Sequence, residues 1–281
     1  MNRYRGPETE ALRERWIDQG RGLGSAAVYK TWIRVGEFPN KTNSFRVKSF
    51  VTGRVHHYFS AVEYRHHLLA EYLGCCDIRE GFPVHPISET IALAYETGIA
   101  HPDFAGHMCS VTTDSLLTVD NGTEKYLLPR SIKWTSELRD PRTLEKLELE
   151  RLAWARRGRK WELLTEIELP LVLEKNLRWL RGWQAAKRAV PDSALLEGFL
   201  VALAMQDLQQ KLTVILDRTA IQLRISKMLS IFLFRYAAWN RKFDVDLYSP
   251  LQLGKPHVAL KSGLNALKDA SKKHSSLSRV R

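Results

Sequence analysis

The hydrophobic pattern of the chain changes period once, and that change constrains the fold more than any other feature. Up to about Lys187, helical and strand-like stretches alternate; from Ser193 onward the apolar residues recur at helical spacing. Alternation of this kind describes an α/β domain. The later pattern predicts two long helical segments, 195–212 and 219–243, followed by short β-like pieces at Asp244 to Tyr248 and His257 to Lys261. Helices followed by a small hairpin resemble a winged helix. The expected organisation is therefore an α/β domain over residues 1–187 and a mainly helical, winged-helix-like domain with a basic tail over residues 188–281, with Pro191 near the boundary. A length of 281 residues suits about two domains.

Within the first domain, residues 8–19 read as a charged helix stopped by the glycines of GRGLG, Gly20 to Gly24. A phosphate-cradling loop needs a strand before its glycines, and here a helix precedes them. Residues 30–58 read as a strand or two, and Ser60 to Gly74 as a helix ended by glycine. A loop rich in Pro and Gly follows. Ser110 to Asp120 then reads as a strand, NGT as a turn and Glu124 to Trp134 as the returning strand, with Pro129 expected at an edge or a bulge. Asp140 caps a strong helix that begins with Pro141 and stops at Gly158; a strand over 161–169 and a helix over 171–186 complete the domain.

Lys and Arg number 43 against 31 Asp and Glu, a formal charge of +12 that favours a polyanion and makes nucleic acid the leading partner class. No apolar run approaches the length of a membrane span, so no membrane is expected. The start of the sequence lacks a secretory pattern, and three cysteines without CxxC spacing suit a reducing cytoplasm, each read as a small buried hydrophobe.

The candidate chemistry lies on the two central strands. Side chains alternate along a strand, so Asp114 shares a face with Thr112 and Leu116, and Ser131 shares one with Lys133 on the neighbouring strand. A carboxylate and an ammonium can thus sit side by side, and Glu63 can come from the preceding helix. Carboxylates bind Mg2+, which polarises a phosphoryl oxygen and generates hydroxide, while a lysine orients water or offsets charge on phosphorus. The same residues also read as an ordinary surface ion pair. The doublets His56–His57 and His66–His67 offer at most one ligand each and read as partly exposed histidines. No GxSxG, Cys–His nucleophile or Walker motif occurs.

GRVHHYFSAVE ending in Glu63, TTD ending in Asp114, SIK around Lys133 and RTLEKLELER from Arg142 to Arg151 together resemble the TnsA family, the endonuclease subunits of heteromeric cut-and-paste transposases. GRGLG and DIREGFPVHP fit that family too, so the resemblance covers most of the first 185 residues. It implies a restriction-endonuclease-like nuclease domain with catalytic Glu63, Asp114 and Lys133, and with Glu63, Asp114, Ser131 and Glu150 around Mg2+, for which Mn2+ would substitute. The family position at Ser131 is often glutamine, so the serine hydroxyl, its carbonyl or a water would take that place. The resemblance further implies double-stranded DNA at transposon ends as substrate and cleavage of the 5′, non-transferred strands. It also implies a TnsB-like DDE transposase and, through the C-terminal domain, a TnsC-like AAA+ ATPase as partners in a bacterial cytoplasm. The alternatives are a non-catalytic DNA-binding scaffold of the transposase and a free-standing restriction-type nuclease.

Overall fold

The structure is a computed structural model that describes residues 8–37, 43–185, 189–207, 209–251 and 253–254. The chain forms two compact units, Met1–Pro170 and Leu171–Arg281. The division falls before the helix expected to close the first domain, because that helix packs on the helix Lys227–Trp239 of the second unit through Trp179 and Phe234, whose ring centroids are 5.8 Å apart.

In the first unit, helix α1 (Glu10–Asp18) precedes a two-stranded antiparallel ribbon of β1 (Phe45–Lys48) and β2 (Val55–Tyr58), then helix α2 (Ala61–Leu73). Next come β3 (Asp77–Pro83), α3 (Ile87–Thr97), the small hairpin β4 (Asp103–Phe104) and β5 (His107–Met108), and the long strands β6 (Thr112–Asp120) and β7 (Lys125–Ile132). Helix α4 (Pro141–Arg156) and the short β8 (Glu162–Leu164) end the series. The main sheet has the order β3-β6-β7-β8, antiparallel except for the parallel pair β7 and β8. This mixed α/β architecture fits a nuclease-like fold.

The sheet is covered on both sides. Leu116 packs in a cluster with Val84, Leu93, Leu149 and Trp154, from α3, α4 and the turn before them, whereas its neighbour Leu117 clusters with Ala70, Ile78 and Leu128, against α2. Period-two alternation is what sends adjacent leucines of β6 into opposite layers.

The Pro/Gly-rich stretch expected to be a loop contains β3 and α3. Asp77–Pro83 carries no apolar alternation because its outer edge is covered by polar contacts: the hydroxyls of Tyr29 and Thr31 donate to the Glu80 carbonyl. Pro129 does not lie on an edge strand. It is opposite Leu116 in β7, one residue before pairing with β8 begins at Arg130, so it needs no donor on that side. The strand expected over 161–169 shrinks to three residues.

The glycine stop after α1 is required by close packing. Gly22 has φ +75°, and a Cβ there would stand 2.4 Å from Cγ of Pro83, so only glycine lets this turn lie against the end of β3.

The second unit comprises α5 (Leu171–Ala185), α6 (Ser193–Ala204), α7 (Leu212–Leu223) and α8 (Lys227–Trp239). The helix expected over 219–243 is two helices, divided where Arg224 takes φ +54° and Ser226 caps α8 by accepting from the Leu229 amide. Residues 195–212, expected as one helix, break after Ala204. No strand occurs among the described residues of this unit; Asp244 to Tyr248 is non-regular, and residues 257–261 lie outside the described residues. No helix among the described residues is long and apolar enough to cross a membrane.

Candidate active site

The β6–β7 ladder stops at Ser115 opposite Arg130, one position before Asp114. Beyond that point β7 turns its pairing to β8, and the two long strands part. The Asp114 carboxylate enters the fork: Oδ2 accepts from the backbone N–H of Ile132 at 2.7 Å and from Lys133 Nζ at 2.8 Å. A side chain thereby takes the amide that a continued ladder would have bonded to a carbonyl. Lys133 in turn follows the parallel pairing, its amide donating to the Leu164 carbonyl at 3.1 Å. The pair is not a solvated surface contact, since the Asp114 and Lys133 side chains are only 20% and 26% exposed. Burial works against the lysine's charge, but contact with Asp114 outweighs it and holds the ammonium above the usual lysine range.

Two further carboxylates stand near this pair. Glu150, on α4, is buried; Ser131 Oγ donates into its carboxylate, 2.7 Å from each oxygen, and Trp161 Nε1 donates at 3.0 Å. Burial, then the charge of Asp114, push the Glu150 carboxyl up to about 7. Glu63 is the third residue of α2, where its amide donates to the cap Ser60 and its Oε2 accepts from the Phe59 amide at 3.1 Å. Burial and the repulsion of Asp114 raise it to about 7 as well. Its place at the helix start follows from the S-x-x-E capping pattern of residues 60–63.

Asp114, Lys133 and Glu150 line one cavity of about 290 Å³, together with Thr143, Lys146 and Glu137. Glu63 is not part of that lining but feels the charges of Asp114 and Lys133. Ser131 lies behind Glu150, almost fully buried, with its hydroxyl committed to that carboxylate. Of the expected residues, Asp114, Lys133 and Glu150 share the cavity, Ser131 supports Glu150 from behind, and Glu63 stands outside the lining. Sequence reasoning missed Trp161 and Lys146; Lys146 was legible, because four residues before Glu150 places it one helical turn away on the same face of α4.

The donor set suits a hard divalent cation. It consists of carboxylate oxygens, Oδ1 of Asp114 has no hydrogen bond among the described residues, and two of the three carboxyls are raised by burial and then by the charge of Asp114, both of which a bound cation would offset. Among the described residues no three His, Cys, Asp or Glu side chains are drawn together as a closed metal shell, so binding requires these carboxylates to turn inward.

The histidines and cysteines depart from expectation. His56, His66 and His67 are buried, the doublet of α2 included, because α2 is enclosed by both the sheet and the β1–β2 ribbon segment. His56 and His67 both bond Tyr58 Oη, at 3.1 and 2.7 Å, in a polar network away from the cavity. Of the cysteines only Cys75 is buried; Cys76 is exposed and Cys109 half-buried.

A forked mixed sheet holding an Asp–Lys pair with two flanking glutamates supplies the carboxylates and the cation that metal-assisted phosphoryl chemistry requires. Comparison with known proteins narrows that class. Residues 75–166, which include Asp114, Ser131, Lys133 and Glu150, match the family described as TnsA-like endonuclease N terminal. The chain is also similar to the transposon Tn7 transposition protein TnsA of Escherichia coli, with 39% identity over 174 residues that cover 61% of this chain and 63% of that protein. The chain is thus similar to a TnsA protein over that part, and the match spans about 63% of the length of that curated relative.

Proposed function

We propose that this chain is a divalent-metal-dependent DNA endonuclease subunit of a heteromeric transposase, cutting the 5′, non-transferred strands at transposon ends. The observation that carries the reading is the Asp114 carboxylate held in the sheet fork by Lys133 and the Ile132 amide, with Glu63 and Glu150 beside it. Similarity to the Tn7 protein supports the transposition context, and the surplus of 12 positive charges suits a DNA partner.

Asp114, Glu63 and Glu150 would hold Mg2+ or Mn2+, which supplies polarisation of the scissile phosphoryl group and a nucleophilic water at neutral pH. Lys133 stays an ammonium at neutral pH, so it acts as a charge and a hydrogen-bond donor toward phosphate or water, and Asp114 fixes its position. Ser131 and Trp161 orient Glu150 from behind. The mainly helical unit Leu171–Arg281 would dock an AAA+ ATPase partner, while a DDE transposase would cut and join the 3′ strands.

The test is product analysis with the partner proteins present. Glu63→Ala, Asp114→Ala and Lys133→Ala should each abolish 5′ cutting while partner-catalysed joining continues, so that long reads show donor–target cointegrates in place of simple insertions. Calcium should support binding without cutting, and EDTA should stop cutting. Simple insertions from Asp114→Ala, or full activity in EDTA, would refute the assignment.

A further inference from the structure

The hairpin formed by β4 and β5 stands at the mouth of the cavity and presents its large apolar side chains to solvent. Pro102, just before the hairpin, and Ser110, two residues after it, line the cavity that holds Asp114, Lys133 and Glu150. Phe104 is 59% exposed and Met108 47% exposed. The pairing of Phe104 with His107 and of Asp103 with Met108 places Phe104 and Met108 on opposite faces of a two-residue-loop ribbon. Ala105 and Gly106 both have positive φ, +51° and +80°, the tight turn that matches the twist of paired strands.

So short an exposed ribbon would be loose if it stood alone, and this one is braced on both sides. Arg13 Nη2 donates to the Met108 carbonyl at 2.5 Å, and Arg142 Nη2 donates to the His101 carbonyl at 3.1 Å. The Cys109 amide closes the base by donating to the Pro102 carbonyl at 2.9 Å. His101 is held through Nε2 by the Thr90 hydroxyl at 2.9 Å. Arg13 is paired with Glu8 and Arg142 with Glu145, so these two arginines fix the hairpin in place, while the cation left to face a ligand is Lys146, which lines the cavity beside it.

Resting on the nuclease reading of the cavity, we propose that this hairpin is a wedge for duplex DNA, with Phe104 entering a base step next to the scissile phosphate. Apolar wedges of Phe or Met are the side chains that unstack base steps, and cations alongside hold the flanking phosphates. Duplex DNA is favoured over a protein surface as the occupant because the exposed Phe104 adjoins the cavity proposed to act on a DNA phosphate, with Lys146 in its lining and a chain carrying 12 surplus positive charges. Unstacking at this place would kink the duplex and bring one strand's phosphate down toward Lys133 and Asp114.

The experiment uses the full chain in an Asp114→Asn background, which keeps the substrate intact, and a duplex with 2-aminopurine on either side of the phosphate that the wild-type chain cleaves. Binding is read by anisotropy and unstacking by 2-aminopurine fluorescence. The expected result is a several-fold fluorescence rise at one step, lost in Phe104→Ala, restored in part by Phe104→Leu, and reduced less by Met108→Ala, with anisotropy changed by no more than a few-fold. Phe104 is exposed, so folding is not at stake; circular dichroism of each variant checks this. An unchanged fluorescence rise in Phe104→Ala, or no rise on a duplex that is bound, overturns the wedge and leaves the nuclease reading standing. If the wild-type chain, with its partners, cleaves no duplex, the nuclease reading falls and the wedge with it.

Discussion

Replacing Glu150 by Gln tests the electrostatics of the cavity without disturbing its packing. The amide has the shape of the carboxylate, can accept from Trp161 Nε1 and can donate to Ser131 Oγ, whose hydroxyl serves equally as acceptor. What disappears is the buried charge. In the wild type the carboxyl sits at about 7 in place of 4.5, so the folded state holds its proton more tightly than the unfolded chain does. That stabilisation is fully present below pH 4.5 and is lost progressively as pH rises to about 7, where the difference amounts to ~3 kcal/mol. Without divalent cations, Glu150→Gln should therefore match the wild type near pH 4.5 and exceed it at pH 8 by up to ~3 kcal/mol, a rise on the order of 5 to 10 °C in midpoint for a unit of this size. Added Mg2+ should raise the wild-type midpoint at pH 8 and raise that of the variant much less, and 5′ cutting should fall. Calorimetry across pH 4.5 to 8.5, with EDTA or Mg2+, reads both effects. Parallel pH profiles for the two proteins would refute the idea that Glu150 is a charge under strain in the cavity.

Ser131→Ala removes one buried donor from Glu150 and should lower the cleavage rate by no more than roughly tenfold, about 1.4 kcal/mol of barrier; a loss as deep as that of Asp114→Ala would make the serine a ligand in its own right. Gly22→Ala forces a side chain into Pro83 at positive φ and should destabilise the first unit by ~2 kcal/mol or more in urea melts, whereas an unchanged midpoint would mean the turn can move. A chain ending at Pro170 should fold cooperatively, because the sheet and both its covering layers lie before that point, and should no longer co-purify with the ATPase proposed as partner; co-purification at full-length levels would refute the docking role proposed for the second unit.

Local chemistry made some of this protein legible from the residues alone. Asp140 and Pro141 mark the start of α4, S-x-x-E marks the start of α2, and period-two alternation around NGT marks β6 and β7, because caps, turns and strand faces depend on neighbours a few positions away. Those same signals placed Asp114 beside Lys133. Tertiary structure decided what depends on residues far apart in sequence. The β3 strand has no alternation of its own and exists because Tyr29, Thr31 and β6 satisfy its two edges. Pro129 sits within a central strand because β8 begins its pairing one residue later. Ser131, 19 positions from Glu150, became a support for a carboxylate rather than a group facing the cavity, since α4 lays Glu150 across it. The His66–His67 doublet is buried on both sides because α2 is enclosed, a fact that helical periodicity, which assumes one solvated face, cannot express.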